Sequence, residues 1–157
     1  MTTYKLKPNA NIDGTFKQAE LHTTFPELLA LFGMPEESDG HKSSGDWIFE
    51  SNKGDVFTIY DWKSTNLYDP SLPSVDTFRR SPAVVPFSVG GVNDASDFLS
   101  WVSWRLNEVT PEEVRRATLE YLDGLTTSDA QAVLDAEFQA EAHEPSLLTS
   151  SWRTLGV

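Results

Sequence analysis

Residues 46–63, DWIFESNKGDVFTIYDWK, restrict the fold more than any other stretch, because they read as a β-hairpin whose two faces differ in chemistry. Two β-rich runs flank Asn52-Lys53-Gly54, and a three-residue loop with glycine in the left-handed position closes an antiparallel pair. Ser51 then faces Asp55, Phe49 faces Phe57 and Trp47 faces Ile59. Strict alternation puts those large apolar side chains on one face, the predicted core side. The reverse face carries Asp46, Ile48, Glu50, Val56, Thr58, Tyr60 and Trp62. A mixture of carboxylates and aromatic rings is neither core nor plain solvated surface, and it is the predicted contact surface. Asp61 has the parity of the core side, near the strand end.

The rest of the chain supplies partners for this hairpin. Tyr4 and Leu6 alternate with lysines over 2–7 and predict a short strand before Pro8, with a second strand over 15–22. Thr24-Phe25-Pro26-Glu27 has the pattern of a capping box, and Leu28, Leu29, Leu31 and Phe32 continue it as an apolar stripe ended by Gly33. That predicts a helix over 25–32. Residues 63–82 show no period and are expected to be a long loop, a type of segment that often carries function. Ala83 to Gly91 reads as a strand, with Pro86 placing it at a sheet edge or a bulge.

A helix is expected from Asn93 or Asp94 to Asn107, with Ala95, Phe98, Leu99, Val102 and Leu106 on one face. Trp104 falls on the opposite face and Trp101 on its flank. Thr110-Pro111-Glu112-Glu113 opens another capped helix, and a last one is expected over 128–142. Docking of this helical hairpin on Trp101 and Trp104 would cover both rings; the alternative is that they form an interface with a partner or a second copy. Residues 145–157 hold Leu147, Leu148, Trp152 and Leu155 and are read as a strap. The expected architecture is α+β: an antiparallel sheet of about four or five strands on two helices in a core unit over 1–108. The hairpin and strap occupy 109–157.

Charge and composition narrow the partners. The net charge of −12 is concentrated in residues 109–157, which carry 9 acidic and 3 basic side chains. Such a field repels phosphate backbones, so sequence-independent nucleic-acid binding is disfavoured, while mimicry of a nucleic acid is compatible with it. The chain has no cysteine, which removes disulfides, thiolate metal sites and cysteine nucleophiles and fits a reducing cytoplasm. No apolar run approaches the length of a membrane span, and no leader pattern precedes the first strand.

The chemistry-bearing residues are sparse. His22, His41 and His143 lie far apart in sequence and show no metal-ligand spacing, so no metal and no cofactor is expected. His41 stands out because its loop lies one strand away from the mixed face of the hairpin. No G-x-S-x-G, phosphate-binding loop or dinucleotide fingerprint is present, and no catalytic residue is assigned. Gly90-Gly91, followed by Asn93, reads as a strand-to-helix turn whose backbone N–H groups would meet an anion, or else as a plain capped turn. Arg79 and Arg80 would supply cations if the long loop folds over it. The resulting pocket has Tyr60 and Trp62 stacking a planar group, Arg79 or Arg80 pairing an anion, and Gly90, Gly91, Asn93 and His41 around it. The competing reading buries Tyr60 and Trp62 beneath a helix or loop.

The series Leu31-Phe32-Gly33, Asp46-Trp47-Ile48-Phe49, Gly54, Thr58 to Lys63 and Val89-Gly90-Gly91 resembles a group of small accessory proteins encoded by bacteriophages and prophages. The resemblance spans about residues 24–106. It implies action by binding, either inhibiting a host protein or sequestering a nucleotide-derived signal of host defence, and it brings no catalytic residue. The expected function is therefore a non-catalytic accessory protein that captures a small anionic ligand in the host cytoplasm. The alternatives are an acidic protein–protein inhibitor or nucleic-acid mimic acting on a host protein, and a small hydrolase. Formation of a homo-oligomer is a further expectation.

Overall fold

In the computed structural model, which describes residues 1–124, the strands are β1 (Tyr4–Leu6), β2 (Phe16–Thr23), β3 (Asp46–Ser51), β4 (Val56–Tyr60) and β5 (Val85–Gly91). The helices are α1 (Phe25–Phe32), α2 (Val75–Arg80), α3 (Ser96–Glu108) and α4 (Pro111–Asp123). The strands form one antiparallel sheet in the order β1-β3-β4-β5-β2, packed against four helices in an α+β fold.

The hairpin pairs in the expected register, Trp47 with Ile59 and Phe49 with Phe57. Ser51 N–H donates to Asp55 O at 2.8 Å, and Gly54 takes the left-handed backbone, φ 88°, that closes the loop. The apolar face of the sheet, with Trp47, Phe49, Phe57, Ile59, Phe87 and Val89, is buried against Phe25, Leu28, Phe78, Phe98 and Val102 of the helices. Phe98 stacks on Phe57 with centroids 4.8 Å apart, and Phe32 meets Phe49 edge-on at 4.9 Å. Each such ring contributes about 1.5–3 kcal/mol by leaving water, so this layer holds the domain together.

Helix α1 begins and ends where its sequence signals lie. Thr24 Oγ1 accepts from the N–H of Glu27 at 3.1 Å, Pro26 lies in the first turn, and Gly33 closes the helix at φ 76°. The indole N–H of Trp47 donates to Gly33 O at 2.8 Å, so the buried tryptophan has its polar atom satisfied.

Four expectations are corrected. The 63–82 segment is not wholly loop: Ser74 accepts from Thr77 N–H at 3.2 Å and starts α2, a helix too short to show a period, whose Phe78 is buried. Strand β5 lies inside the sheet rather than at its edge. Its pairing with β4 covers only Ser88–Gly91, however, so Pro86 sits in the part that runs past β4 and pairs with β2 alone. Helix α3 starts at Ser96, with Asp94 Oδ1 accepting from the N–H and hydroxyl of Ser96 at 3.0 and 2.6 Å. Finally, α4 packs on α1, with Tyr121 against Phe25, and not on the two tryptophans of α3. Trp101 instead joins the core beside Phe32, Phe49 and Phe98, while Trp104 stays 57% exposed. The helix expected over 128–142 and the strap over 145–157 lie outside the described residues.

Candidate functional site

The pocket expected from the sequence is divided by the sheet. Gly90 and Gly91 are not in a turn: they lie within β5, paired with Thr58 and Phe57 on one side and with Lys17 and Phe16 on the other. Flanked on both sides, they form no anion-binding turn. The close packing there requires glycine, because a Cβ on Gly90 would fall 2.5 Å from Thr58 Oγ1 and 3.5 Å from the Tyr60 ring. Asn93 is exposed beyond the strand, and α3 begins after it.

Arg79 lies on the helical side. Its guanidinium stands over Phe25 at 5.1 Å, donates to Ser44 O at 3.3 Å and faces Tyr121, whose hydroxyl donates to Asp76. Burial, reinforced by Asp76, pushes the Tyr121 phenol well above its ordinary value. Arg80 is half-buried in the last turn of α2. The contacts of Arg79 are with Phe25, Ser44 and Tyr121, not with the glycines of β5.

What the structure brings together is His41, Tyr60 and Trp62, along with three residues the sequence reading did not single out: Lys42, Lys63 and Tyr68. Tyr60, half-buried, meets Trp62 edge-on at 6.1 Å and lies beside Ser88; burial is the chief cause that raises its phenol pKa. Trp62 is 42% exposed, and the ammonium groups of Lys42 and Lys63 stand over its ring at 5.6 and 5.5 Å. Lys63 is also 5.0 Å from the ring centre of Tyr68, which is 39% exposed. His41 packs beside Tyr68 at 5.6 Å, with its Nδ1 3.3 Å from Leu67 O.

Two loops at one end of β3 and β4 carry this cluster, and local chemistry orders both. Asp39 Oδ1 accepts the N–H groups of His41, Lys42 and Ser43 at 2.9, 2.9 and 3.0 Å, which holds its carboxyl below the usual value, the His41 bond contributing most. Across from it, Asp61, 4% exposed, accepts from Ser43 Oγ at 3.3 Å, from Ser44 N–H at 3.0 Å and from Gly45 N–H at 3.1 Å. Lys63 takes φ 55°, the left-handed backbone, alone among the non-glycine residues described. Such a conformation costs about 1 kcal/mol or more and persists where its surroundings impose it.

In a protein of net charge −12, the structure sets two ammonium groups on exposed aromatic faces beside the His41 ring, with the carboxylates of Asp39 and Asp61 turned to backbone N–H groups of the same loops. Surface cation–π contacts are worth about 0.5–1 kcal/mol each, whereas stacking of a planar ring on an aromatic side chain is worth about 1–3 kcal/mol. A planar anion would gain by displacing a lysine from the ring and then pairing with it. Among the described residues, no group of three or more His, Asp or Glu is placed to hold a metal ion. Likewise, no helix among them is long and apolar enough to cross a membrane. No protein-family model matches the chain, and no curated protein matches it.

The missed residues had only faint signals. Lys42 and Lys63 each follow a residue already singled out, His41 and Trp62, and Tyr68 lies in the segment expected to carry function. Their convergence depends on a backbone conformation at Lys63 that no residue type announces.

Proposed function

We propose that this chain is a non-catalytic binding protein that captures a small planar anion, a nucleotide-derived ligand being the class that fits, through Trp62, Tyr68, Lys42 and Lys63, with His41 and Tyr60 at the margin. The observation that carries the reading is the Lys63 ammonium standing between the faces of Trp62 and Tyr68, with Lys42 on the same indole. The ring of the ligand stacks on Trp62, and its phosphate or carboxylate pairs with the lysines as they swing off the ring. The residue pattern over about 24–106 resembles phage and prophage accessory proteins. On that basis the ligand is a signal of host defence, and the place of action is the host cytoplasm.

The test is a melting screen against nucleoside mono-, di- and triphosphates and cyclic nucleotides. A ligand at one hundred times its Kd adds about 2.7 kcal/mol to the stability of the folded state. The shift is lost in Trp62→Ala and in the double variant Lys42→Ala/Lys63→Ala. Absence of a shift across the whole panel overturns the proposal.

A second reading is favoured by the exposed acidic residues of α4, Glu112, Glu113, Glu120 and Asp123. An acidic helix of this kind suits a basic groove on a host protein, and binding there weakens steeply with salt.

A further inference from the structure

We infer that Asp61 is the positioning residue of the Lys42–Trp62–Lys63 cluster, its buried carboxylate holding the two loops in the one arrangement that sets both ammonium groups on the indole. The inference rests on reading that cluster as the ligand site. A carboxylate 4% exposed is costly to keep unless hydrogen bonds satisfy it, and apolar or neutral residues commonly fill such a position with no loss of stability. Here the donors from outside its own strand end come from one short segment: the hydroxyl of Ser43 and the N–H groups of Ser44 and Gly45. Those three residues follow Lys42, and Asp61 immediately precedes Trp62 and Lys63. One side chain thus binds together the two stretches that carry the cluster.

The surroundings remove the remaining slack. Lys63 N–H donates to Lys42 O at 2.6 Å, which closes the second contact between the loops. Arg79 holds Ser44 O from the helical side at 3.3 Å. On the outside of the turn, Gly45 lies so close to Pro35 that a Cβ would come within 2.8 Å of its Cγ. Crowding against Pro35 limits the segment on that side, and loss of the Asp61 anchor leaves the Lys63–Lys42 backbone bond as the remaining tie to the Trp62 stretch.

Iodide and neutral acrylamide provide the test, applied to the full chain and to Trp62→Phe, so that the difference isolates the quenching of Trp62. With both ammonium groups on the indole, iodide quenches Trp62 more strongly than acrylamide does, and the excess shrinks as chloride is added. Lys42→Ala and Lys63→Ala set the scale of that excess. In Asp61→Asn, which keeps the shape of the side chain, loss of the carboxylate charge by itself raises the excess, so the expected fall by about half or more reports displacement of the ammonium groups from the indole, with the near-ultraviolet circular dichroism of the core rings retained. Ser43→Ala removes one donor, keeps the charge and gives a smaller fall; it carries the test if Asp61→Asn does not fold. An excess unchanged in every variant that folds overturns the inference. Since iodide requires no cognate ligand, an empty nucleotide screen with a reduced excess in Asp61→Asn removes the ligand reading and leaves the positioning role standing. A nucleotide hit with an unchanged excess does the reverse.

Discussion

The main-chain N–H of Lys63 donates to the carbonyl oxygen of Lys42 at 2.6 Å, and this bond joins the loop entering β3 to the loop leaving β4. Both lysines are placed by their backbones before their side chains contribute anything. The left-handed φ of 55° at Lys63 is the local strain that accompanies this bond.

Substitution of Lys63 by glycine separates fold from function. Glycine adopts φ 55° without strain but gains freedom in the unfolded chain, so the net change in stability is expected to stay within about 1 kcal/mol. The ammonium is lost all the same. Urea denaturation should show a nearly unchanged midpoint, while the nucleotide-induced melting shift falls by more than half.

At Gly90 the expectation is steric. Gly90→Ala places its methyl 2.5 Å from Thr58 Oγ1 inside the sheet, a contact that must turn the buried Thr58 side chain out of its place or push strands β4 and β5 apart. A cost of about 1–3 kcal/mol is expected for such overpacking. In the double variant Gly90→Ala/Thr58→Ala the clashing oxygen is gone, so the two changes should couple by about 1 kcal/mol or more in a denaturation cycle.

Tyr121 tests how α4 is held. Its hydroxyl donates to Asp76 of α2, and its ring rests on Phe25 of α1. Tyr121→Phe keeps the ring contact and leaves the Asp76 carboxylate short of a donor, which costs about 1–2 kcal/mol. Hydrogen exchange should rise first along α4 and α2, with the sheet amides unchanged.

Much of the fold was legible because its signals are local. Gly54 specified the hairpin loop and therefore the register from Trp47 to Ile59; Thr24, Pro26 and Gly33 bounded α1; and the stripe Phe98, Val102 marked the buried side of α3. Failures came where meaning depends on distant chain. Gly90-Gly91 looks the same in a turn as in a strand, and only Thr58 and Tyr60, brought up by β4, decide that it is a close-packing site. Trp101 and Trp104 looked like a shared docking face, yet Trp101 lies against Phe32, Phe49 and Phe98, and α4 packs on α1. Of the candidate site, Tyr60, Trp62 and His41 could be named from strand parity and loop position. The lysines that complete it could not, since residues 42 and 63 meet only once Asp61 and the Lys63 backbone have drawn the loops together.

That same loop cluster sets the pH dependence. Asp46 and Asp61 are both held above their ordinary carboxyl value of 3.8, in each case chiefly by burial, with Asp61, Asp39 and Glu36 adding repulsion at Asp46. A carboxyl whose pKa is higher in the folded than in the unfolded state binds its proton more tightly when folded. Its contribution to stability is therefore fully present below the unfolded value and is lost as pH rises through the folded value. For these two groups the window opens near 3.8 and extends upward. Asp39 runs the other way, its lowered pKa adding stability that is lost as pH falls. Asp46→Asn isolates the first effect, because Asp46 Oδ1 is buried without a hydrogen-bond partner and an uncharged amide removes the repulsion from Asp61, Asp39 and Glu36. The variant is expected to match the wild type below the window and to exceed it by about 0.5–1 kcal/mol at neutral pH. Melting temperatures of the two proteins across acid and neutral pH measure the gap; a gap that is constant with pH, or that widens toward acid, would contradict the burial account of Asp46.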